Sequence, residues 1–282
     1  MIKKVFFSLV LLLGVGMGIG FGLSKSEEAS NAVIANPVIA AEDETIVESS
    51  VTSDNSQQEI LAQSPEEILQ SLNNKATKNL EPGWIHLHTE IVYDTDMENN
   101  GVLPNGVEIP LHQINDAWYL LNEESLVIES VFIMKTTDGD IVQIGTYKNG
   151  VGNNSVIDDP VSEVPYPLAL DGGLSRAMTQ MRERGEVFTF REFVNANGVT
   201  KVEFNSTTTF EIPIKSIDYN QRTISNRSRI VFDKETGVME LKEIIAYLEN
   251  GTERVFQKLT QEVTKEAPTD EAMKLLNERG DE

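Results

Sequence analysis

The chain has 282 residues, with 45 acidic and 23 basic side chains, a formal net charge of −22 and no cysteine. An acidic surface repels phosphate, so we do not expect a nucleic-acid partner, because such binding depends on Lys and Arg. The lack of cysteine excludes disulfides, iron–sulfur clusters, thiol nucleophiles, cysteine-ligated zinc and an acylated lipoprotein anchor.

The chain opens with an uncharged run of 19 residues, Val5 to Leu23, that follows Lys3 and Lys4. A cleaved signal peptide has an apolar core of about 7 to 15 residues, whereas about 18 or more can span a bilayer as a helix. We therefore expect residues 1–24 to form an apolar helix that anchors the protein in the cell membrane with a single pass. The paired lysines predict that the rest of the chain lies outside the cytoplasm. Small residues between Gly20 and Ser24 leave signal cleavage and secretion as the alternative.

Residues 25–60 differ from the run before them. They are rich in Ser, Glu, Ala and Asn, and they contain no aromatic residue. This composition predicts a disordered acidic tether, because it offers too little apolar surface to fold.

The first element of the predicted folded domain, residues 61–268, is a helix. Ser64 is a suitable N-cap, Pro65 fits the first helical position, and Glu67 completes a capping box. Pro82-Gly83 ends the helix. The segment from Trp84 to Tyr93 then alternates apolar and polar residues, which is typical of an antiparallel strand with one face against a core.

More strands follow, separated by turns at Asn122 to Ser125, at Thr137 to Asp140 and at Asn197-Gly198. A second helix is predicted from Leu174 to Gly185. Pro213 indicates an edge position or a bulge, since proline has no ladder donor. The element order predicts an α+β fold, mainly an antiparallel sheet forming an open half-barrel over one or two helices.

The stretch from Arg229 to Thr252 is predicted to form a β-hairpin and holds several acidic residues close together. Gly237 is free to take positive φ in the turn from Asp233. In the returning strand we interpret Glu240 and Glu243 as the solvent-facing side, with Leu241, Ile244 and Ala246 facing the core and a register slip near Glu243-Ile244. Residues 269–282 form a tail with a possible short helix: Thr269 would cap it and Ala272, Leu275 and Leu276 would dock it.

A strand, an Asp-x-x-Thr-Gly turn at Asp233 to Gly237, a charged outgoing strand and an Asn250-Gly251 turn resemble the later hairpins of the LolA/RseB-like superfamily of exported bacterial proteins. The first helix and the strand after it are similar to that family's opening. The resemblance covers about residues 64–266. It implies an unclosed antiparallel barrel around helices and an apolar hollow that holds acyl chains or senses mislocalised lipoproteins. It carries no catalytic residue, and the predicted anchor departs from a freely diffusing carrier.

Catalytic motifs are not found in the sequence: it has no G-x-S-x-G, no H-E-x-x-H and no phosphate-binding loop. We therefore expect a protein that is not an enzyme. His86 and His88 share a strand face and could hold zinc with His112 or Glu90 as a third ligand, but spacing does not fix that ligand, and we expect a surface pair of histidines. The segment from Asp94 to Gly101 fails the calcium-loop pattern at its glycine and its last glutamate. We expect no metal and no cofactor.

Two functions remain after these exclusions. The first is a membrane-tethered extracytoplasmic module that binds an apolar ligand, a lipid or a lipoprotein acyl chain, in the hollow of the half-barrel. The alternative is an envelope sensor or scaffold domain with a filled core and no small ligand. The oligomeric state, the ligand and the pathway stay open. For the first function, the residues expected to line the hollow are large and apolar: Trp84, Trp118, Phe132, Met178, Met181, Phe190 and Phe210.

Overall fold

A computed structural model describes residues 64–94, 103, 106–162, 165–183, 188–215 and 222–280. The predicted anchor and acidic tether lie outside these residues. Within them, no helix combines the length and the apolar character needed to cross a membrane. The described chain contains three helices. They are α1 (Pro65–Lys78), α2 (Leu174–Glu183) and α3 (Asp270–Gly280).

The strands of the described chain form one antiparallel sheet. Eleven of them lie side by side in the order β6-β5-β4-β3-β2-β1-β12-β11-β10-β9-β8, and β7 pairs with β3 beside this path. The two end strands, β6 and β8, do not pair with each other, so the sheet is open. Their bounds are β1 (Gly83–Tyr93), β2 (His112–Leu121), β3 (Leu126–Thr136), β4 (Ile141–Lys148), β5 (Val151–Asn154), β6 (Ile157–Ser162), β7 (Tyr166–Pro167), β8 (Phe188–Val194), β9 (Thr200–Lys215), β10 (Arg222–Asp233), β11 (Met239–Leu248) and β12 (Glu253–Thr264).

Two antiparallel meanders, β1 to β6 and β8 to β12, are joined where the first strand pairs with the last. This junction brings Leu87 opposite Val263 and Ile91 opposite Leu259. The predicted α+β class with a mainly antiparallel, open sheet is confirmed. Pro213 lies where the register of β9 against β10 shifts, between Thr209 and Ile214, as expected for a residue without a ladder donor.

The inner face of the sheet carries α1 and α2. The predicted start of α1 is confirmed, since the Ser64 Oγ accepts from the Glu67 amide and the Glu67 carboxylate accepts from the Ser64 amide. Leu69 and Leu72 of α1 and Leu174 and Met178 of α2 are buried with the inward residues of β1 and β8 to β12. A neighbouring cluster continues this core under β1 to β4. The inner face is therefore occupied by helices.

Part of the outer face of the first meander is covered, because α3 packs on it. Ala272 and Leu276 are fully buried against Trp118, Val131 and Ile133. The tail thus forms a helix that docks on the sheet and covers this part of its outer face. The sequence predicts one or two helices against the sheet and a possible short helix in the tail, and the described chain contains three helices.

Thr269 is the N-cap of α3, since its Oγ1 accepts from the Ala272 amide at 3.2 Å. We expect Thr269→Ala to destabilise the protein by about 1 kcal/mol, because an amide at the helix start loses its acceptor. Urea denaturation measures this difference. Thr269→Ser keeps the oxygen and should restore most of the stability, so an equal loss in both variants would contradict the capping role.

Candidate functional site

The two inner helices are held together by a buried aspartate. Asp171 accepts from the Gly173 amide at 2.9 Å and from the Ser175 amide at 3.0 Å, so it caps the start of α2. Asn73 of α1 donates its Nδ2 to the same carboxylate at 3.4 Å and to the Ser175 Oγ at 3.0 Å. Asp171 is 4% exposed. These bonds fix α1 against α2 inside the sheet.

A lysine of β11 also points to the inner side. Lys242 pairs with Ile230 and Leu259, which both belong to the inner core, and its Nζ donates to the Gly172 carbonyl at 3.3 Å. Burial lowers the pKa of Lys242, and the Asp171 carboxylate acts in the opposite direction. The inner face therefore carries a partly buried ammonium group.

The position of Lys242 corrects the predicted side-chain pattern of β11. Leu241 pairs with Val231, and the next pair along is Met239 with Phe232. Glu240 is thus an extra residue in a β-bulge. From Leu241 onward, the residues that would have faced the core face outward, and those that would have faced outward face the core. Leu241 consequently leaves the inner face, contrary to the prediction. The register slip predicted near Glu243-Ile244 is present between Ile244 and Ile245, against β12.

The turn between β10 and β11 docks on α1. The Lys75 Nζ donates to the Lys234 carbonyl at 2.8 Å. Gly237 has a φ of +75°, and a Cβ added there would lie 2.1 Å from the Leu72 carbonyl oxygen. Asp233 holds the turn, because its Oδ1 accepts from the Thr236 amide at 2.7 Å. The turn closes the hollow from this side.

Two depressions lie beside the helices. One depression of about 300 Å³ lies between α1 and α2, with Leu69 and Met178 at its apolar floor. Another of about 330 Å³ lies along the solvent-facing side of α1 and is lined by Glu67, Lys75 and other polar residues. Both are open to solvent, and the floor of the first consists of two residues of the inner core.

The residues predicted to line a hollow are divided between the two faces of the sheet. Phe132, Met178 and Phe190 pack with the inner clusters. Trp84 and Trp118 pack with α3 on the outer face and do not line the hollow. The physical reason is strand alternation, which sends both tryptophans outward while Ile85 and Tyr119 point inward. The side chains of Met181 and Phe210 lie outside the described residues.

On the outer face, two histidines converge on one aspartate. The Asp116 Oδ1 is 3.1 Å from the His86 Nε2 and 2.8 Å from the His88 Nδ1. His112 lies apart and pairs with Glu90 at 2.6 Å. The third residue beside the two histidines is therefore Asp116. The sequence offered His112 or Glu90 as the third ligand, and neither lies in that position. In the part of the chain that the structure describes, these three side chains bring their ligand atoms within 4.8 Å of one another.

Another charged group lies on the outer face of the second meander. Glu203 accepts from the Arg191 Nε at 2.9 Å, from the Asn205 Nδ2 at 2.8 Å and from the Arg229 Nε at 2.7 Å. Burial raises the pKa of Glu203, but these hydrogen bonds outweigh it and hold the value at about 2. Arg229 also reaches Glu243 at 2.8 Å. Glu203 and Glu243 therefore take part in one ion-pair network, which Arg229 joins.

The aspartate that opens the calcium-like segment has a structural role. Asp94 forms a two-bond ion pair with Arg254, at 2.7 and 2.8 Å. Such a fork fixes the end of β1 against β12 and uses both carboxylate oxygens. Residues 95–102 lie outside the described residues.

No family model matches this chain, and no curated protein matches it. Solved structures that resemble it include MucB, at 12% identity and a TM-score of 0.35, over 72% of this chain and 60% of that one. The MucA/MucB complex of Pseudomonas aeruginosa matches at 13% identity and a TM-score of 0.36, over 73% of this chain and 59% of that one. A beta-barrel-like protein of domain of unknown function DUF1849 from Brucella abortus matches at 11% identity and a TM-score of 0.19, over 66% of this chain and 98% of that one.

This chain spans about 60% of the length of the first of these structures. Similarity at these TM-scores carries no conclusion about a ligand, a partner or a reaction.

Proposed function

We propose that this chain is a non-catalytic module of the bacterial cell envelope that recognises a partner protein, as a sensor or scaffold. The observation that supports this proposal best is the filled hollow of the sheet. Two helices and the turn at Gly237 occupy the inner face, and Leu174, Phe204, Phe232 and Met239 are each fully buried there. A protein with a packed interior presents its outer surface and its sheet edges to a partner.

The polar groups on the inner face also weigh against an apolar cargo. Asp171 and Lys242 lie next to α2, and Gln257 is 1% exposed with its Nε2 donating to the Tyr93 hydroxyl at 3.0 Å. An acyl chain that entered by displacing the helices would leave Asp171 and Lys242 without their hydrogen-bond partners and would lie against the Gln257 amide. Each buried polar group left unpaired costs about 1 to 3 kcal/mol. The inner surface is therefore suited to fixed helices.

The extracytoplasmic location is part of the proposal and rests on the sequence. The lysines before the apolar run at residues 5–23 favour a start in the cytoplasm and a domain outside. The acidic tether would hold the folded part away from an anionic membrane surface. The lack of motifs for nucleophilic, metal-dependent or nucleotide chemistry in the sequence supports a binding role over a catalytic one.

We propose the edge strand β8 as the docking position. In the described sheet β8 pairs only with β9, and Val194 at its end is 63% exposed. A strand with one unpaired side offers backbone donors and acceptors to an extended segment of another protein. A partner strand added at β8 would continue the second meander.

One observation favours lipid binding as a second candidate. The depression between α1 and α2 has an apolar floor of Leu69 and Met178, and its volume of about 300 Å³ reaches the lower limit of known ligand pockets. Thr179 and Gln70 lie at its rim. A single acyl chain is the ligand class that such a floor would accept.

Native mass spectrometry of residues 61–282, purified from cells, separates the two candidates. We expect an apo mass and no uptake of a fluorescent apolar probe. In a second arm, a photo-reactive residue replaces the exposed Thr189 of β8 in the full chain within cells, with the same replacement at the exposed Glu271 of α3 as the control. We expect a discrete protein adduct from Thr189 alone.

A stoichiometric lipid mass would overturn the partner-protein proposal in favour of the second candidate. In that case Thr179→Trp, which fills the mouth of the depression, should reduce lipid binding, whereas Arg176→Trp on the same helix should not. An equal adduct pattern from Thr189 and Glu271 would remove β8 as the docking strand.

A further inference from the structure

We propose that His86, His88 and Asp116 form a zinc-binding site on the outer face of the sheet, where β1 pairs with β2. Zinc in proteins takes nitrogen from neutral imidazole and oxygen from carboxylate at about 2.0 to 2.2 Å, and sites with three protein ligands leave a fourth position open. Two histidines and one aspartate supply such a set. This inference does not rest on the proposed partner-binding function.

The strand geometry brings the three side chains to one place. His86 and His88 are two residues apart on β1, so both project from its outer face. Asp116 of β2 lies directly opposite His88, and Trp118 lies directly opposite His86. The four residues form a compact patch across two neighbouring strands.

The ligand atoms point toward a common centre. The His86 Nε2 and the His88 Nδ1 lie at 3.1 and 2.8 Å from the same oxygen, Asp116 Oδ1. All three atoms lie within 4.8 Å of one another. Ligand atoms of a tetrahedral ion at about 2.0 Å are separated by a little over 3 Å, so modest rotations of these side chains would accommodate zinc.

Packing orients the His86 ring before any ion arrives. It stacks on Trp118, with ring centroids 4.5 Å apart and an angle of 7° between the planes. Trp118 is itself buried under α3. The Glu266 carboxylate lies 3.6 Å from the His86 Nδ1, the nitrogen that does not face Asp116. A carboxylate that accepts a hydrogen bond from this nitrogen orients a metal-bound histidine and raises its basicity, and the exposed Glu266 side chain would have to move closer to do so.

The exposure of the three residues leaves one open side. The side chains of His86 and Asp116 are 15% and 17% exposed, whereas that of His88 is 43% exposed. An ion can enter from solvent on the His88 side, and water can take the fourth position there. This arrangement differs from the many carboxylates of an acidic surface, since imidazole nitrogen suits zinc while calcium and magnesium prefer oxygen ligands.

The experiment uses the full chain, purified in detergent and freed of metal with a chelator. Zinc is titrated by calorimetry in excess magnesium, which occupies oxygen-only sites on the acidic surface. We expect one zinc ion per chain. Cobalt(II), used as a coloured substitute, should give the strong visible absorption of a four-coordinate ion.

His88→Ala is the main variant, because the exposed ring of His88 contributes little to the core. We expect it to weaken zinc binding about 100-fold or more, since altering even the outer partners of a metal ligand costs about 10- to 100-fold. Asp116→Asn should have a similar effect. His112→Ala is the matched control, because His112 lies on the same sheet face but pairs with Glu90. Circular dichroism of each metal-free variant verifies that the fold is retained.

Zinc affinity lost in His88→Ala and Asp116→Asn but kept in His112→Ala supports the site. An absence of stoichiometric zinc binding to the unmodified chain would overturn it, and the two histidines would then serve as hydrogen-bond donors to Asp116. Equal weakening in His112→Ala would overturn it as well, because it would indicate diffuse binding to the acidic surface.

Discussion

We expect Gly237→Ala to destabilise the protein by about 4 kcal/mol, a large part of the roughly 5 to 15 kcal/mol that stabilises an ordinary domain. The added Cβ would lie 2.1 Å from the Leu72 carbonyl oxygen and 2.8 Å from the Ala76 nitrogen, both of which belong to the backbone of α1. Backbone atoms inside a helix cannot turn aside as a flexible side chain can. The turn must therefore separate from α1, and the core beneath it loses contact.

Gly251→Ala is the matched control for this variant. Gly251 also lies in a hairpin turn with a positive φ, of +82°, but a Cβ added there meets no atom within 4 Å. Its cost should be limited to the backbone strain of about 1 kcal/mol. Thermal unfolding followed by circular dichroism compares the two variants. Equal losses would show that φ strain, and not the contact with α1, makes Gly237 necessary.

The sequence was sufficient to predict elements whose signals are local. The cap at Ser64, the turn at Asn197-Gly198 and the alternation from Trp84 to Tyr93 depend on neighbouring residues, and the structure contains each of them. The docking residues of α3 are likewise spaced along a single helix. Such features depend on capping, turn chemistry and strand alternation, which a short segment carries by itself.

The sheet's long-range pairing could not be predicted in the same way. The pairing of β1 with β12 brings His86 opposite Thr264, residues that are far apart in the chain. No local pattern specifies such a partner. For the same reason the outer face of β1 gave no sign that α3 would cover part of it. The tryptophans Trp84 and Trp118 therefore read as residues of a hollow, although they pack under α3.

The histidine group shows how part of a site can be predicted and part missed. The i, i+2 spacing of His86 and His88 placed both on one strand face, and the structure agrees. Asp116 was missed because its position depends on the register between β1 and β2, which turn composition alone does not fix. The bulge at Glu240, which turns Lys242 inward, was missed for a related reason.

The second large effect concerns Glu203, whose side chain is 3% exposed and accepts from two arginines. We expect Glu203→Gln to reduce the free energy of unfolding at pH 7 by about 3 kcal/mol, since a lowering of the pKa by one unit corresponds to about 1.4 kcal/mol. The amide would also leave Arg191 and Arg229 without their shared anion. Urea denaturation at neutral pH measures the difference.

The loss should depend on pH with a definite sign. The carboxyl of Glu203 titrates near 4.5 in the unfolded chain and at about 2 in the folded one, so the unfolded state binds more protons in that interval. Its contribution to stability is complete above about pH 4.5 and is lost as the pH falls toward 2. The difference in the free energy of unfolding between the unmodified protein and Glu203→Gln should therefore become smaller as the pH falls through this range.

Glu253→Gln is the control, because Glu253 is 51% exposed and lies 3.5 Å from Arg227. Such a surface pair contributes about 0 to 1 kcal/mol. A loss in Glu203→Gln that is the same at pH 7 and near pH 3 would assign the effect to packing and refute the charge network.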